Sequence, residues 1–224
     1  MIRKIFSVLF LLFISFSTIH AQLIRGYGIK AGLTSANQTV NWADRITNTK
    51  ARQGIDAGIF VEWLNIPFIS ILTEVHLIQK GSDVTTNFQI TTVEFPNGIP
   101  ISSIKNSDLS VKYYGYSTKI NYLSIPILAK LRISEGLLVP YILAGPRFDF
   151  KLSDNISTNA GRSFINYKNN DIGGIFGVGA QLASIIPIHI GAELRYSPSF
   201  QYCFSEKYFS VKNSSLEFPL VLSY

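Results

Sequence analysis

Apolar and polar side chains alternate with a two-residue period in eight short segments. Of all the features of the sequence, this pattern most strongly limits how the chain can fold. One parity is uncharged throughout: odd positions over 27–33, 55–63, 69–77 and 123–131, and even positions over 142–150, 172–182, 190–196 and 216–224. Because successive side chains of a strand point to opposite faces, each segment has one face suited to lipid. A Lys or Arg on that face costs about 2 to 4 kcal/mol at the bilayer midplane, which explains its exclusion.

The opposite parity carries nearly all of the strand charge. Its charged residues are Lys30, Asp56, Glu62, Glu74, Lys80, Lys130, Arg132, Arg147, Asp149, Lys151, Asp171, Glu193, Arg195 and Glu217. An eight-stranded barrel has an interior only just wide enough for side chains, so these charges must pair there. We expect a structural polar network in the lumen, formed by Glu62, Glu74, His76, Lys130, Arg132, Arg147, Asp149, Glu193, Arg195 and Glu217. Glycines of the same parity leave room for it, and a neutral, packed lumen argues against an open pore.

Connection lengths alternate between long and short. Long connections are expected at about 34–51, 81–119, 153–170 and 201–213, and short ones at 64–67, 134–137 and 184–187. The sequence therefore predicts an all-β fold, an eight-stranded antiparallel up-and-down transmembrane β-barrel with short periplasmic turns and long extracellular loops. Four prolines fall in or near the strands and are expected at bulges or rims, namely Pro126, Pro146, Pro198 and Pro219.

The two ends of the chain indicate export to the cell outer membrane. Arg3 and Lys4 precede an apolar and hydroxyl-rich run, and Ala21 is a small residue suited to cleavage, so residues 1–21 read as a signal peptide and 22–224 as the barrel domain. At the other end, Leu220, Leu222 and Tyr224 resemble the signal that the outer-membrane assembly machinery reads. The single cysteine, Cys203, cannot form an internal disulfide.

Several strand motifs add a family resemblance that covers essentially the whole mature chain. They are residues 28–32 (GIKAG), 122–130 (YLSIPILAK), 140–146 (PYILAGP), 177–179 (GVG) and 193–196 (ELRY). These motifs resemble the PorT-like outer-membrane β-barrel family. The resemblance implies a barrel without catalytic residues, and some members of that family are implicated in protein secretion or gliding.

Function is less constrained than fold. The chain favours a structural or interaction scaffold without cofactor or metal, which contacts outer-membrane lipid and lipopolysaccharide and has a possible secretion or surface protein partner. The net charge of +6 gives basic loops that suit lipopolysaccharide, whereas no motif suggests nucleic-acid binding. Two alternatives stay open. One is a lipid-acting hydrolase that uses His76 or His189 beside a serine, and the other is a soluble, lipocalin-like ligand-binding barrel.

Overall fold

Every regular element of the described chain is a β-strand. The computed structural model describes residues 23–42, 47–64, 66–88, 112–158, 168–182, 187–206 and 209–224, so the predicted signal peptide lies outside the described residues. The strands are β1 (Ile24–Trp42), β2 (Thr47–Trp63), β3 (Ile69–Lys80), β4 (Ser82–Phe88), β5 (Lys112–Arg132), β6 (Leu138–Thr158), β7 (Asn170–Leu182), β8 (His189–Pro198), β9 (Phe204–Glu206) and β10 (Phe209–Ser223). No described segment is a helix long and apolar enough to cross a membrane.

The ten strands form a closed antiparallel barrel of eight staves. β3 and β4 form one stave that is interrupted at Gly81, and β9 lies beside β10 beyond the end of β8. Gly81 has φ of +146°, which only glycine adopts readily, and a Cβ there would lie 2.0 Å from the Thr118 carbonyl oxygen. β1 pairs with both β2 and β10, which closes the wall.

The closure is staggered, as a barrel with tilted strands requires. One path of paired residues around the wall runs Ile24, Trp63, Ile71, Ala129, Ala144, Phe176, Tyr196, Leu216, Ser35. The path begins at Ile24 and returns to the same strand, β1, at Ser35. The stagger decides which inward side chains reach the same level of the lumen, and it is not visible in any single strand.

The outer wall carries a continuous exposed apolar band. Leu33, Ile59 and Leu220 on three neighbouring staves are 64%, 62% and 64% exposed, respectively. The lysines, arginines, aspartates and glutamates within the same stretches face inward and are buried, which confirms the parity prediction and excludes the inverted arrangement of a soluble ligand-binding barrel.

The predicted long connections are largely strand, which corrects their boundaries. β1 continues to Trp42 and β6 to Thr158, while β4 and the first eight residues of β5 occupy the two ends of the expected 81–119 connection. Residues 89–111 lie outside the described part. The outward residues of these extensions are polar, as at Ser35, Asn37 and Thr39, so the apolar signal fades although pairing continues. We call this side the loop end and the side of the short connections the turn end.

Three of the four strand prolines lie neither at bulges nor at rims, contrary to the expectation. Pro126, Pro146 and Pro219 are in register within their strands, and only Pro198 ends a strand. Register shifts occur instead between Ile24 and Gly26 and between Asn121 and Tyr122. The register is the same on both sides of Pro219, because Glu217 pairs with Arg195 and Leu220 with Ala192. The strands therefore tolerate a missing amide donor without slipping.

Candidate functional site: the lumen network

Four buried charged groups meet in the middle of the lumen. Lys30 Nζ lies 2.6 Å from Glu74 Oε1 and 3.0 Å from Glu193 Oε1. Arg195 donates from Nη1 and Nη2 to the two carboxylate oxygens of Glu74 at 2.8 and 2.9 Å, and from Nε to Glu193 at 2.6 Å. We call these four residues the central cluster. Glu74 and Arg195 stand on β3 and β8, opposite staves of the eight, so their bidentate contact spans the lumen.

His76 lies next to the central cluster between two carboxylates. Its Nδ1 is 2.6 Å from Asp56 Oδ1, and its Nε2 is 3.0 Å from Glu74 Oε2. A general base of the Ser-His-Asp type keeps one ring nitrogen for a serine hydroxyl, but here both nitrogens face carboxylates. The geometry of His76 therefore fits a structural contact in the network.

The loop-end half of the lumen holds a second set of polar contacts. Lys80 Nζ binds Asp149 at 2.8 Å, and Arg147 Nε lies 3.1 Å from the same carboxylate. Arg147 also donates to the Ser197 hydroxyl and, at 3.2 Å, to that of Ser199. The Cys203 thiol nearby is buried in the loop-end connection, and burial raises its pKa to about 12.

The turn end opens into a small vestibule. Glu62 is approached there by three cations: Arg25 Nε at 3.3 Å, Lys130 Nζ at 3.1 Å, and Arg132. Arg25, Glu62 and Arg132 line a cavity of about 270 Å³, together with His189 and Ser223 among others. His189 and Ser223 are register partners, but no hydrogen bond joins them, and the Ser223 hydroxyl accepts one from Gln181 Nε2 at 2.8 Å.

Two apolar clusters also pack inside the barrel. One packs near the central cluster towards the turn end and contains Phe60, Leu72, Leu128, Tyr141, Leu143, Ile175 and Val221. The other fills the loop-end half and contains Ile78, Ile120, Tyr122, Cys203, Phe204 and Val211. Glycine makes room for the rings, because a Cβ at Gly179 would lie 2.6 Å from Tyr141 Cζ. In the described part of the chain, the lumen therefore contains both ion pairs and apolar clusters.

All ten side chains predicted for the lumen network are buried inside the barrel. Lys151, also predicted to face the lumen, is the register partner of the buried Tyr122, and its Nζ lies 2.7 Å from Oδ2 of the partly exposed Asp154. Among the fully buried ionisable residues, six are lysines or arginines and seven are aspartates or glutamates.

Several contributors were not anticipated. The Tyr141 hydroxyl donates to Glu193 at 2.7 Å, and Arg25 joins Glu62 from a position before the first alternating segment. Parity alone could have predicted that Tyr141 faces inward. It could not have predicted the position of Arg25, because the register shifts between Ile24 and Gly26. The predicted assembly signal, Leu220, Leu222 and Tyr224, faces outward and is exposed, and its role stays a prediction. Among the residues described, no group of three or more His, Cys, Asp or Glu is arranged to hold a metal ion.

Comparison with known proteins gives a family and a fold. Residues 21–205 match the model of a family described as outer membrane protein beta-barrel domain. No curated protein matches the chain in sequence. Among solved structures, the outer membrane protein OprG from Pseudomonas aeruginosa is similar over 89% of this chain and 94% of its own, with a TM-score of 0.53 and 10% identity.

Two further solved structures match with lower scores. Neisserial surface protein A has a TM-score of 0.43 and 14% identity, over 87% of this chain and 95% of its own. The attachment invasion locus protein Ail of Yersinia pestis, solved with the heparin analogue sucrose octasulfate, has a TM-score of 0.44 and 16% identity, over 89% and 98%. The similarity to OprG shows the fold of this chain and no more.

Proposed function

Because the chain belongs to the outer membrane protein beta-barrel domain family and lies in the outer membrane, we propose that it acts there as a closed, non-catalytic scaffold. Its short turns face the periplasm and its extended strands face the outside. The scaffold serves protein secretion or surface assembly, in line with the resemblance to the PorT-like family.

The observation that carries the proposal is the contact between Glu74 and Arg195 across the lumen. Its two hydrogen bonds of 2.8 and 2.9 Å join opposite staves at mid-barrel, with both side chains at most 1% exposed. We expect this contact to obstruct the passage of water and ions, since breaking it would leave charges buried without partners. The apolar clusters on either side support the same conclusion.

Conductance in planar lipid bilayers tests closure. We expect the purified, refolded full-length barrel to give no discrete current steps, whereas a general porin reconstituted in the same way does. A variant with Glu74→Ala and Arg195→Ala together removes the crossing contact and is expected to raise the ion leak. Discrete steps from the wild-type barrel would overturn the proposal of a closed lumen.

If the protein were a hydrolase, its catalytic residues would have to be His189 and Ser223. His76 is unsuitable because both of its ring nitrogens face carboxylates. We expect the wild-type barrel to hydrolyse phospholipid and lipopolysaccharide substrates no faster than the Ser223→Ala variant. A rate for the wild type that the substitution abolishes would establish an enzyme and refute the non-catalytic part of the proposal.

The role in secretion or surface assembly is tested in the native bacterium. Deletion of the gene is expected to reduce the amount of specific exported proteins at the surface and in the medium, and the wild-type gene is expected to restore it. An unchanged set of exported proteins would exclude that role, while the conductance result would still stand.

A further inference from the structure

We propose that the vestibule at the turn end binds a carboxylate of an acidic, partly apolar segment of a periplasmic protein. The vestibule is the cavity of about 270 Å³ that Arg25, Glu62 and Arg132 line together with His189 and Ser223. The inference rests on the proposed function, which places the turn end in the periplasm. It deepens that function by naming the chemistry of the partner that the scaffold meets there.

Positive charge outnumbers negative charge at the vestibule. Glu62 is approached by Arg25 Nε at 3.3 Å, by Lys130 Nζ at 3.1 Å and by Arg132. Among the residues that the structure describes, these three cations form an ion pair with no second carboxylate. Glu135, on the turn between β5 and β6, is exposed and contacts none of them. Because one carboxylate is shared by three cations, the vestibule attracts a further anion.

Arg25 and Ser223 offer the donors that such an anion needs. Arg25 faces Glu62 with Nε and donates from Nη1 to the Ile66 carbonyl oxygen at 2.6 Å, so its Nη2 has no acceptor in the described part of the chain. The Ser223 hydroxyl accepts from Gln181 Nε2 at 2.8 Å, and its own proton likewise has no described acceptor. The Arg25 side chain is 27% exposed, so a ligand can reach it. A guanidinium fork and a hydroxyl in one cavity suit a carboxylate.

The two turns beside the cavity present apolar side chains. Leu137 is 75% exposed and follows Gly136, which lines the cavity. Ile66, whose carbonyl oxygen holds Arg25, is 50% exposed on the turn between β2 and β3. A single exposed apolar residue is ordinary on a protein surface, but these two adjoin a cavity with surplus positive charge. A peptide that carries a carboxylate beside apolar side chains matches both features.

Peptide binding to the full-length barrel in phosphatidylcholine nanodiscs tests the proposal. The probes are two fluorescein-labelled peptides, one of alternating glutamate and leucine and one in which glutamine replaces every glutamate. Fluorescence anisotropy measures their affinities, and empty nanodiscs give the background. We expect the wild type to bind the glutamate peptide about tenfold more tightly than the glutamine peptide, the effect of one charge-assisted hydrogen bond.

Arg25→Gln removes the reachable cation and is expected to abolish the preference for the glutamate peptide. Arg25→Lys keeps the charge without the fork and is expected to retain part of it. Ser223→Ala removes the second donor and is expected to weaken binding of the glutamate peptide about fivefold. Arg52→Gln is the matched control, because Arg52 is a partly exposed cation at the loop end, and it should bind both peptides as the wild type does.

Heat-modifiable migration on gels shows that each variant is folded. Equal affinity of the wild type for the two peptides, or an undiminished preference in Arg25→Gln, would overturn the site. An equal loss of preference in Arg52→Gln would also overturn it, since binding would then follow overall charge. None of these outcomes bears on the proposed function, because conductance tests closure and gene deletion tests the role in secretion.

Discussion

Removing the Arg195 guanidinium is expected to destabilise the centre of the lumen, because Arg195 contacts both Glu74 and Glu193. In Arg195→Met, a chain of similar length keeps most of the packing, but three charge-assisted hydrogen bonds of 2.6, 2.8 and 2.9 Å are lost. Each such bond contributes about 1.5 to 3 kcal/mol. Glu74 keeps Lys30 and His76, and Glu193 keeps Lys30 and Tyr141, so part of the loss is offset. We therefore expect the free energy of unfolding to fall by about 3 to 5 kcal/mol, the usual range for breaking a buried ion pair.

Urea unfolding of the barrel in lipid vesicles, followed by heat-modifiable migration, measures this loss. Arg52→Met is the control, because Arg52 and its partner Asp83 are both partly exposed and 3.9 Å apart, and such pairs contribute about 1 kcal/mol or less. Adding Glu74→Gln to Arg195→Met removes one of the two acids that have lost Arg195 and should recover part of the stability. If Arg195→Met unfolds within 1 kcal/mol of the wild type, the central cluster does not stabilise the barrel in the way argued above.

Two further predictions concern the wall and the loop end. Ile59→Lys places a charge in the exposed apolar band and is expected to lower the free energy of unfolding by about 2 to 4 kcal/mol in the same assay. Thr39→Lys, on the polar extension of β1, is the control and should change it by less than about 0.5 kcal/mol. Equal effects of the two substitutions would contradict a membrane position for the band. Burial raises the pKa of the Cys203 thiol to about 12, so the reactive thiolate is scarce at pH 8. We therefore expect maleimide to label Cys203 only after the barrel unfolds. Fast labelling of the folded barrel would show that the apolar cluster around Cys203 opens.

Parity predicted the two faces of the wall because a strand has only two sides. The same argument fails wherever a residue is inserted. Beyond the shift between Asn121 and Tyr122, Ser153 pairs with the outward Asn121 and is exposed, although its number has the inward parity of β6. The ends of the strands were also misplaced, because beyond Leu33 the outward residues become polar while Thr34 and Gln38 stay buried. Both faces of the strand are then polar, so the sequence no longer distinguishes them, although the backbone pairing continues.

The partners within the lumen could not be predicted from the sequence. That Glu74 meets Arg195 depends on the stagger with which eight strands close, and this quantity belongs to the whole barrel. The sequence does show that inward charges nearly balance, which requires pairing but does not say which acid meets which base. For the same reason, the tyrosine hydroxyl that joins Glu193 could be placed in the lumen but not assigned a partner.

The crossing contacts have a consequence for how the barrel is assembled. Arg195 and Glu74 are 121 residues apart, and Lys30 and Glu193 are 163 apart. No hairpin or half-barrel contains both members of either pair. An open sheet that entered the bilayer early would carry these charges without their partners, at a cost that grows with each inserted strand. Membrane insertion is therefore coupled to closure of the barrel, because the two ends of the sheet must come together while its inward face still contacts water. Pairing of β1 with β10 closes the barrel and at the same time brings the inward charges to their partners.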